Sequence, residues 1–214
     1  MKMILKDLRI FSQNVRKSNF LINTILEVNQ DFDILFIQEP SWTTFRFIPS
    51  SMNPKDVPLL GVSNHPNWLT FSREPSSPNE SPRVVMYINI RLLSLQFLFR
   101  KDIVNHRDII LASFFNNNST FWIMNVYSDS SHTTLKYLKD TEVNLSNLLI
   151  MASDFNIRNS FWDLAFPHHS HLYDDLLIIA DSFNLELSRP TNNVSTRYSD
   201  SDSGSNSTID LMFL

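Results

Sequence analysis

The chain has no cysteine, two glycines in 214 residues, and no apolar run near the ~18 residues that a membrane-spanning helix needs. Without cysteine there can be no disulfide and no thiolate metal site, which fits a reducing compartment. With so little glycine, turns that need positive φ fall to Asn, Asp and Ser. An excess of positive charge is also lacking: 18 Lys and Arg face 22 Asp and Glu, a net charge of −4. That balance argues against a broad basic surface of the kind nucleic-acid binders carry. It is uneven, however, with 13 basic and 10 acidic residues up to position 128 and 5 against 12 beyond it. A local positive field can therefore still form, with Arg9, Arg16, Lys17, Arg73, Arg83 and Arg91 as its sources. The start, Met1-Lys2-Met3-Ile4-Leu5-Lys6-Asp7, is interrupted by charge too early for a secretory leader. The expectation is an intracellular protein, nuclear or cytoplasmic, with no membrane partner.

What is present is core-forming material. Hydrophobic residues make up 43% of the chain and 17 residues are Phe, enough for one domain over residues 1–214. Apolar runs predict strands at Leu8–Ser12, Asp33–Ile37, Val84–Ile90, Asp108–Phe115, Phe121–Val126, Leu148–Ala152 and Thr208–Leu214. Helical spacing (Leu21, Ile25, Val28) predicts a helix over Phe20–Val28, with others over Thr134–Asn147 and Asp174–Phe183. Residues 40–82 hold eight of the ten prolines and are expected to be one long irregular loop. The alternation of strands and helices places the chain in the α/β class.

Six polar residues stand beside these runs: Asn14, Glu39, Tyr127, Asp154, Asn156 and Asp210. Asp154 and Asn156 follow Leu148-Leu149-Ile150-Met151-Ala152, with Phe155 between them turned toward the core. A carboxylate there can take a proton from an attacking water, and a neutral amide can donate to a phosphoryl oxygen. The same residues end many strands merely as turn formers. Glu39, held between a strand and Pro40, suits Mg²⁺ (or Mn²⁺), which takes one or two carboxylates plus water and phosphate oxygens; a solvated strand-end charge is the alternative. Asn125 and Tyr127 share one strand face, where a phenol can bond a phosphate oxygen or simply pack. Two further clusters carry less. Pro167-His168-His169-Ser170-His171 lacks a carboxylate at ligand spacing, and Asp200-Ser201-Asp202-Ser203-Gly204 has its glycine one place too early for a calcium loop.

Taken in order, Asn14, Gln38-Glu39-Pro40, Asn125-Val126-Tyr127, Ser153-Asp154-Phe155-Asn156 with Trp162-Asp163, and Ser207-Thr208-Ile209-Asp210-Leu211 resemble the motifs of the endonuclease/exonuclease/phosphatase superfamily. Within it they look most like the apurinic-type endonuclease domain of non-LTR retrotransposons, and Asn125 to His132 resembles fungal elements. The resemblance implies a four-layer α/β sandwich of two packed mixed β-sheets with outer helices, the DNase I-like fold, and Mg²⁺-dependent hydrolysis of phosphodiesters. It implies a DNA substrate and, in a full-length relative, a reverse transcriptase domain. By position Glu39 would hold the metal, Asn14 and Tyr127 the scissile phosphate, and Asp154 with Asn156 the water, while Asp210 would orient a histidine. This chain departs from the pattern in having Ser153 where the family has glycine. It also ends before the family's last strands and their Ser/Asp-His turn. Three functions remain open on that basis: a nuclease, a catalytically silent remnant of a mobile element, and a phosphatase for inositol phosphates or lipids. The early end further suggests weak Mg²⁺ binding, cleavage of DNA that is slow or absent, and an unpaired, aggregation-prone edge at Leu211–Leu214.

Overall fold

A computed structural model of the chain describes residues 8–48, 57–75, 80–116, 119–141, 145, 147–162, 170–188 and 210–214. The described chain forms two compact units, Met1–Leu93 and Ser94–Leu214.

The first unit is built on a four-stranded mixed sheet. Strand β1 (Ile10–Asn14) runs parallel to β2 (Ile34–Gln38) through the crossover helix α1 (Asn19–Val28). Strands β3 (Thr43–Ile48) and β4 (Val57–Gly61) pair with each other as a separate antiparallel ribbon. Then β5 (Trp68–Phe71) and β6 (Val84–Asn89) complete the order β1-β2-β6-β5. All five residues of β2 and all six of β6 are buried, as continuous apolar runs in central strands should be. Helix α1 starts at Ser18, whose Oγ accepts from the Leu21 N–H. It packs Ile22, Ile25 and Leu26 against Leu35, Ile37, Val85 and Tyr87. The buried stripe is therefore not the one its periodicity suggested. Val28 is 68% exposed, and the i, i+3, i+4 set led by Ile22 lies against the sheet instead.

Residues 40–82 are likewise not one irregular loop, since they hold β3, β4 and β5. Proline did not prevent this. Pro58 lies inside β4, opposite Phe47, in a two-stranded ribbon where each strand keeps one side free of ladder bonds.

The second unit is a six-stranded sheet of order β11-β12-β10-β9-β8-β7. It comprises β7 (Gln96–Phe99), β8 (Ile109–Asn116), β9 (Ser119–Tyr127), β10 (Leu148–Asp154), β11 (Leu187–Ser188) and β12 (Asp210–Phe213), with helices α2 (Thr133–Asp140) and α3 (His171–Ser182). Strands β9 and β10 are parallel and the other neighbours antiparallel, so this sheet too is mixed. Leu135 and Leu138 of α2 and Leu176, Ile179 and Ala180 of α3 close one core with Met124, Val126, Met151, Phe155 and Phe213. Helix α2 ends at Thr141, whose backbone is extended, well short of the expected Asn147.

The C-terminal segment overturns the expected bare edge. β12 lies between two partners, pairing Met151 to Phe213 on β10 and Leu187 to Phe213 on β11, and Leu211 and Phe213 are buried. The two-residue strand β11, which carries no apolar run of its own, supplies the second partner. No described helix is long and apolar enough to cross a membrane.

Candidate active site

In the first unit the parallel register sets Asn14 opposite Gln38, so β1 and β2 end side by side. Two backbone bonds fasten these ends together and a third ties them to the start of β6. The Val15 N–H donates to the Gln38 carbonyl at 2.9 Å, the Lys17 N–H to the Glu39 carbonyl at 2.7 Å, and the Glu39 N–H to the Arg83 carbonyl at 2.8 Å. Asn14 folds its Oδ1 back to accept from the Arg16 N–H at 2.8 Å. Asn14 and Glu39 thus stand at one sheet end. Arg16 and Lys17 are exposed there, Arg83 opens β6 beside Glu39, and Arg73 follows β5 at the same end. Arg9 and Arg91 do not belong to this group. The Asp33 carboxylate, at the opposite end of β2, accepts from the Arg9 N–H and from Arg91 Nε, both at 2.8 Å. β2 has five residues. At about 3.3 Å per residue the strand between Asp33 and Glu39 spans roughly 17 Å, which separates the Asp33 cluster from the Glu39 end.

In the second unit the register does more. Tyr127 on β9 lies beside Asp154 on β10, and Asp154 lies opposite Asp210 on β12, so three candidate positions form one row across adjacent strands. Asp154 and Tyr127 are both buried. Asp154 Oδ1 accepts from the Asn156 N–H at 3.0 Å, an Asx turn that carries the chain off the strand. Asn156 then donates its side-chain N–H to the Ser128 carbonyl at 2.7 Å, and the Ser128 N–H donates to the Asp154 carbonyl at 3.0 Å. Phe155 is fully buried with its ring edge-on to Phe213, the inward orientation that strand alternation required.

Two residues gain weight that sequence reasoning did not give them. Ser128 is fully buried, and its Oγ lies 3.1 Å from Nδ1 of His132. Burial pushes the His132 pKa below its ordinary value, and the nearby Asp129 charge opposes that shift in part. The only local signal was a serine directly after the Tyr127 strand end.

Backbone strain follows the same map. Among the described residues six non-glycine residues have positive φ: Arg16, Lys17, Glu39, His132, Asn156 and Asn184. The expectation that Asn, Asp and Ser would take such turns holds for Asn156 and Asn184 only. The other four cost on the order of 1–3 kcal/mol each and survive because surrounding bonds impose them. Ser153 is not strained, being the extended penultimate residue of β10. What replaces the family's glycine instead is a fully buried hydroxyl with no hydrogen-bond partner among the described residues.

A hard divalent cation fits the donor chemistry. Glu39 is half-buried and offers carboxylate oxygens, and Mg²⁺ needs only one or two such groups beside water and substrate oxygens. No group of three or more His, Cys, Asp or Glu side chains is assembled as a metal cage among the described residues. His168 and His169 and the Asp200–Gly204 loop lie outside the described residues, while His171 is the first residue of α3.

No family model matches the chain, and no curated protein matches it either. Solved structures do. The endonuclease domain of TRAS1, a telomere-specific non-LTR retrotransposon, superposes with a TM-score of 0.66 at 14% identity, over 96% of this chain and 84% of that one. An endonuclease/exonuclease/phosphatase family protein from Leptotrichia buccalis C-1013-b gives 0.53 at 12% identity, over 96% and 87%. A beta toxin from Staphylococcus aureus gives 0.51 at 10%, over 97% and 85%. At such identities the likeness is one of fold. The chain has the DNase I-like α/β fold of the endonuclease/exonuclease/phosphatase proteins, as its ordered motifs implied.

Proposed function

We propose that this chain is a metal-dependent phosphodiester hydrolase acting on DNA, an endonuclease of the retroelement kind. The observation that carries the reading is the location of strain. Five of the six left-handed non-glycine residues, Arg16, Lys17, Glu39, His132 and Asn156, flank or belong to the candidate set, and such strain concentrates at functional sites. The cations Arg16, Lys17, Arg73 and Arg83 at the sheet end of Asn14 and Glu39 suit a phosphate substrate, and the fold is shared with the TRAS1 endonuclease domain.

In this reading Glu39 holds Mg²⁺ or Mn²⁺. A bound divalent ion supplies charge neutralisation on the phosphoryl oxygens. The remaining work falls to the chain's own side chains. Asp154 accepts the proton of the attacking water, Asn156 fixes that water or a phosphoryl oxygen, and Asn14 and Tyr127 bind the other non-bridging oxygens. Asp210, opposite Asp154 in the ladder, is the orienting carboxylate. The test is nicking of supercoiled plasmid DNA with and without Mg²⁺. Metal-dependent nicking that falls by about 10²-fold or more in Glu39→Gln and in Asp154→Asn is the expected result. Nicking that ignores both substitutions, or a pure wild-type chain that binds Mg²⁺ and leaves DNA intact, refutes it.

A further inference from the structure

Ser128 joins three groups at the end of β9 and β10. Its N–H extends the parallel ladder to the Asp154 carbonyl, its carbonyl holds the Asn156 carboxamide at 2.7 Å, and its hydroxyl lies 3.1 Å from His132 Nδ1. His132 directly precedes α2, where Ser, Thr, Asp or Asn would ordinarily cap the helix. It makes no side-chain cap bond and sits in the left-handed region at φ 51°, ψ 31°. A β-carbon there is unfavourable, and histidine offers less local compensation than asparagine. The turn is nevertheless closed on all sides. The His132 N–H donates to the Asp129 carbonyl at 3.0 Å, the Ser131 N–H to Asp129 Oδ1 at 3.1 Å, and Thr134 Oγ1 to the Tyr127 carbonyl at 2.8 Å. Strain is thus held at both ends of one short chain of bonds, at His132 and at Asn156, with a fully buried serine between them. A helix start alone does not require a histidine here, because an ordinary cap would satisfy the helix end without this strain.

We propose that Ser128 and His132 are positioning residues for Asn156: the imidazole fixes the serine hydroxyl, and the serine carbonyl fixes the rotamer and the nitrogen–oxygen sense of the Asn156 carboxamide. One N–H of that carboxamide is engaged by Ser128. The second N–H and Oδ1 make no bond among the described residues and are left to meet a water or phosphoryl oxygen. This rests on the hydrolytic reading above and adds to it a supporting pair that acts through Asn156 without touching substrate.

The test uses His132→Ala, Ser128→Ala and the conservative His132→Asn, which tolerates left-handed backbone and can present a polar atom near the position of Nδ1. Two quantities are read: kcat and KM for Mg²⁺-dependent DNA cleavage, and hydrogen exchange of the Asn156 side-chain amide by ¹⁵N NMR. His132→Ala and Ser128→Ala are expected to lower kcat by about 10- to 100-fold with KM within about two-fold, and to speed Asn156 amide exchange at least about ten-fold. His132→Asn is expected to restore most of both. Unchanged exchange in His132→Ala and Ser128→Ala overturns the proposal, as does a His132→Asn variant as impaired as His132→Ala. If the wild-type chain cleaves nothing, the hydrolytic reading fails, and the amide exchange of Asn156 still decides whether this pair holds it.

Discussion

Truncating Phe213 to alanine tests whether the C-terminal strand is an internal member of its sheet. The ring is fully buried and meets Phe155 edge-on, with centroids 5.8 Å apart and planes at 88°. Its backbone sits in the ladder between Met151 on β10 and Leu187 on β11. Deleting a buried phenyl ring loses its transfer free energy, leaves a cavity and removes the aromatic pair, about 3–5 kcal/mol together. For a chain of this size each kcal/mol moves the melting temperature by about 2–4 °C, so Tm should drop by roughly 6–20 °C. Leu214, one residue later and 52% exposed, is the control; Leu214→Ala should change stability by no more than about 0.5 kcal/mol. The assay is urea denaturation followed by circular dichroism, with the midpoint shifting at constant slope, alongside a thermal melt. A Phe213→Ala variant within about 1 kcal/mol of wild type would refute the internal placement of β12. So would a Leu214→Ala variant that costs as much.

Removing the buried Ser153 hydroxyl, which has no hydrogen-bond partner among the described residues, in Ser153→Ala should stabilise the chain by about 1 kcal/mol, seen as a higher denaturation midpoint; a loss of stability would show that the hydroxyl has a partner. Asp33→Asn weakens two charge-assisted bonds, to the Arg9 N–H and to Arg91 Nε, and should cost about 2–3 kcal/mol while leaving Mg²⁺-dependent cleavage unchanged, because it acts at the opposite end of β2 from Glu39. His132 has a depressed pKa in the folded chain, so the unfolded chain binds its proton first as pH falls. Stability should therefore be fully present above the ordinary histidine pKa of about 6.5 and decline as pH drops toward the lower folded value, and His132→Asn should flatten that segment of the profile. Denaturation midpoints between about pH 8 and pH 5 check this, and an unchanged slope in the variant would rule it out.

How much could be read from the residues depended on the scale of the signal. Continuous apolar runs located β2, β6, β8, β9, β10 and β12 within one or two residues, because an apolar run marks a core strand without reference to its partner. Proline-rich and short elements were missed for the converse reason. β3, β4 and β5 form through pairing that the sequence does not state, and the two residues of β11 become a strand only because β12 lies beside them. The stripe of α1 was misread by choosing among several i, i+3 and i+4 apolar sets, a choice that the sheet makes and the helix does not.

The candidate residues were legible one at a time, as polar groups where apolar runs stop, but their grouping is a property of register. Asp154 and Asp210 are 56 positions apart in sequence, and a shift of one residue in β12 would set Leu211 opposite Asp154 instead. Ser128 was illegible for a related reason: serine after a strand is commonplace, and its weight comes from a fully buried hydroxyl, an imidazole four residues on, and a carboxamide that arrives from the neighbouring strand. The left-handed residues add what register alone lacks. Glycine could relieve Arg16, Lys17, Glu39 and His132 of their strain, yet a glycine would also remove the charge or ring that each carries to these strand ends. A chain with two glycines that keeps long side chains at such positions accepts a local cost in stability in exchange for where those side chains are held.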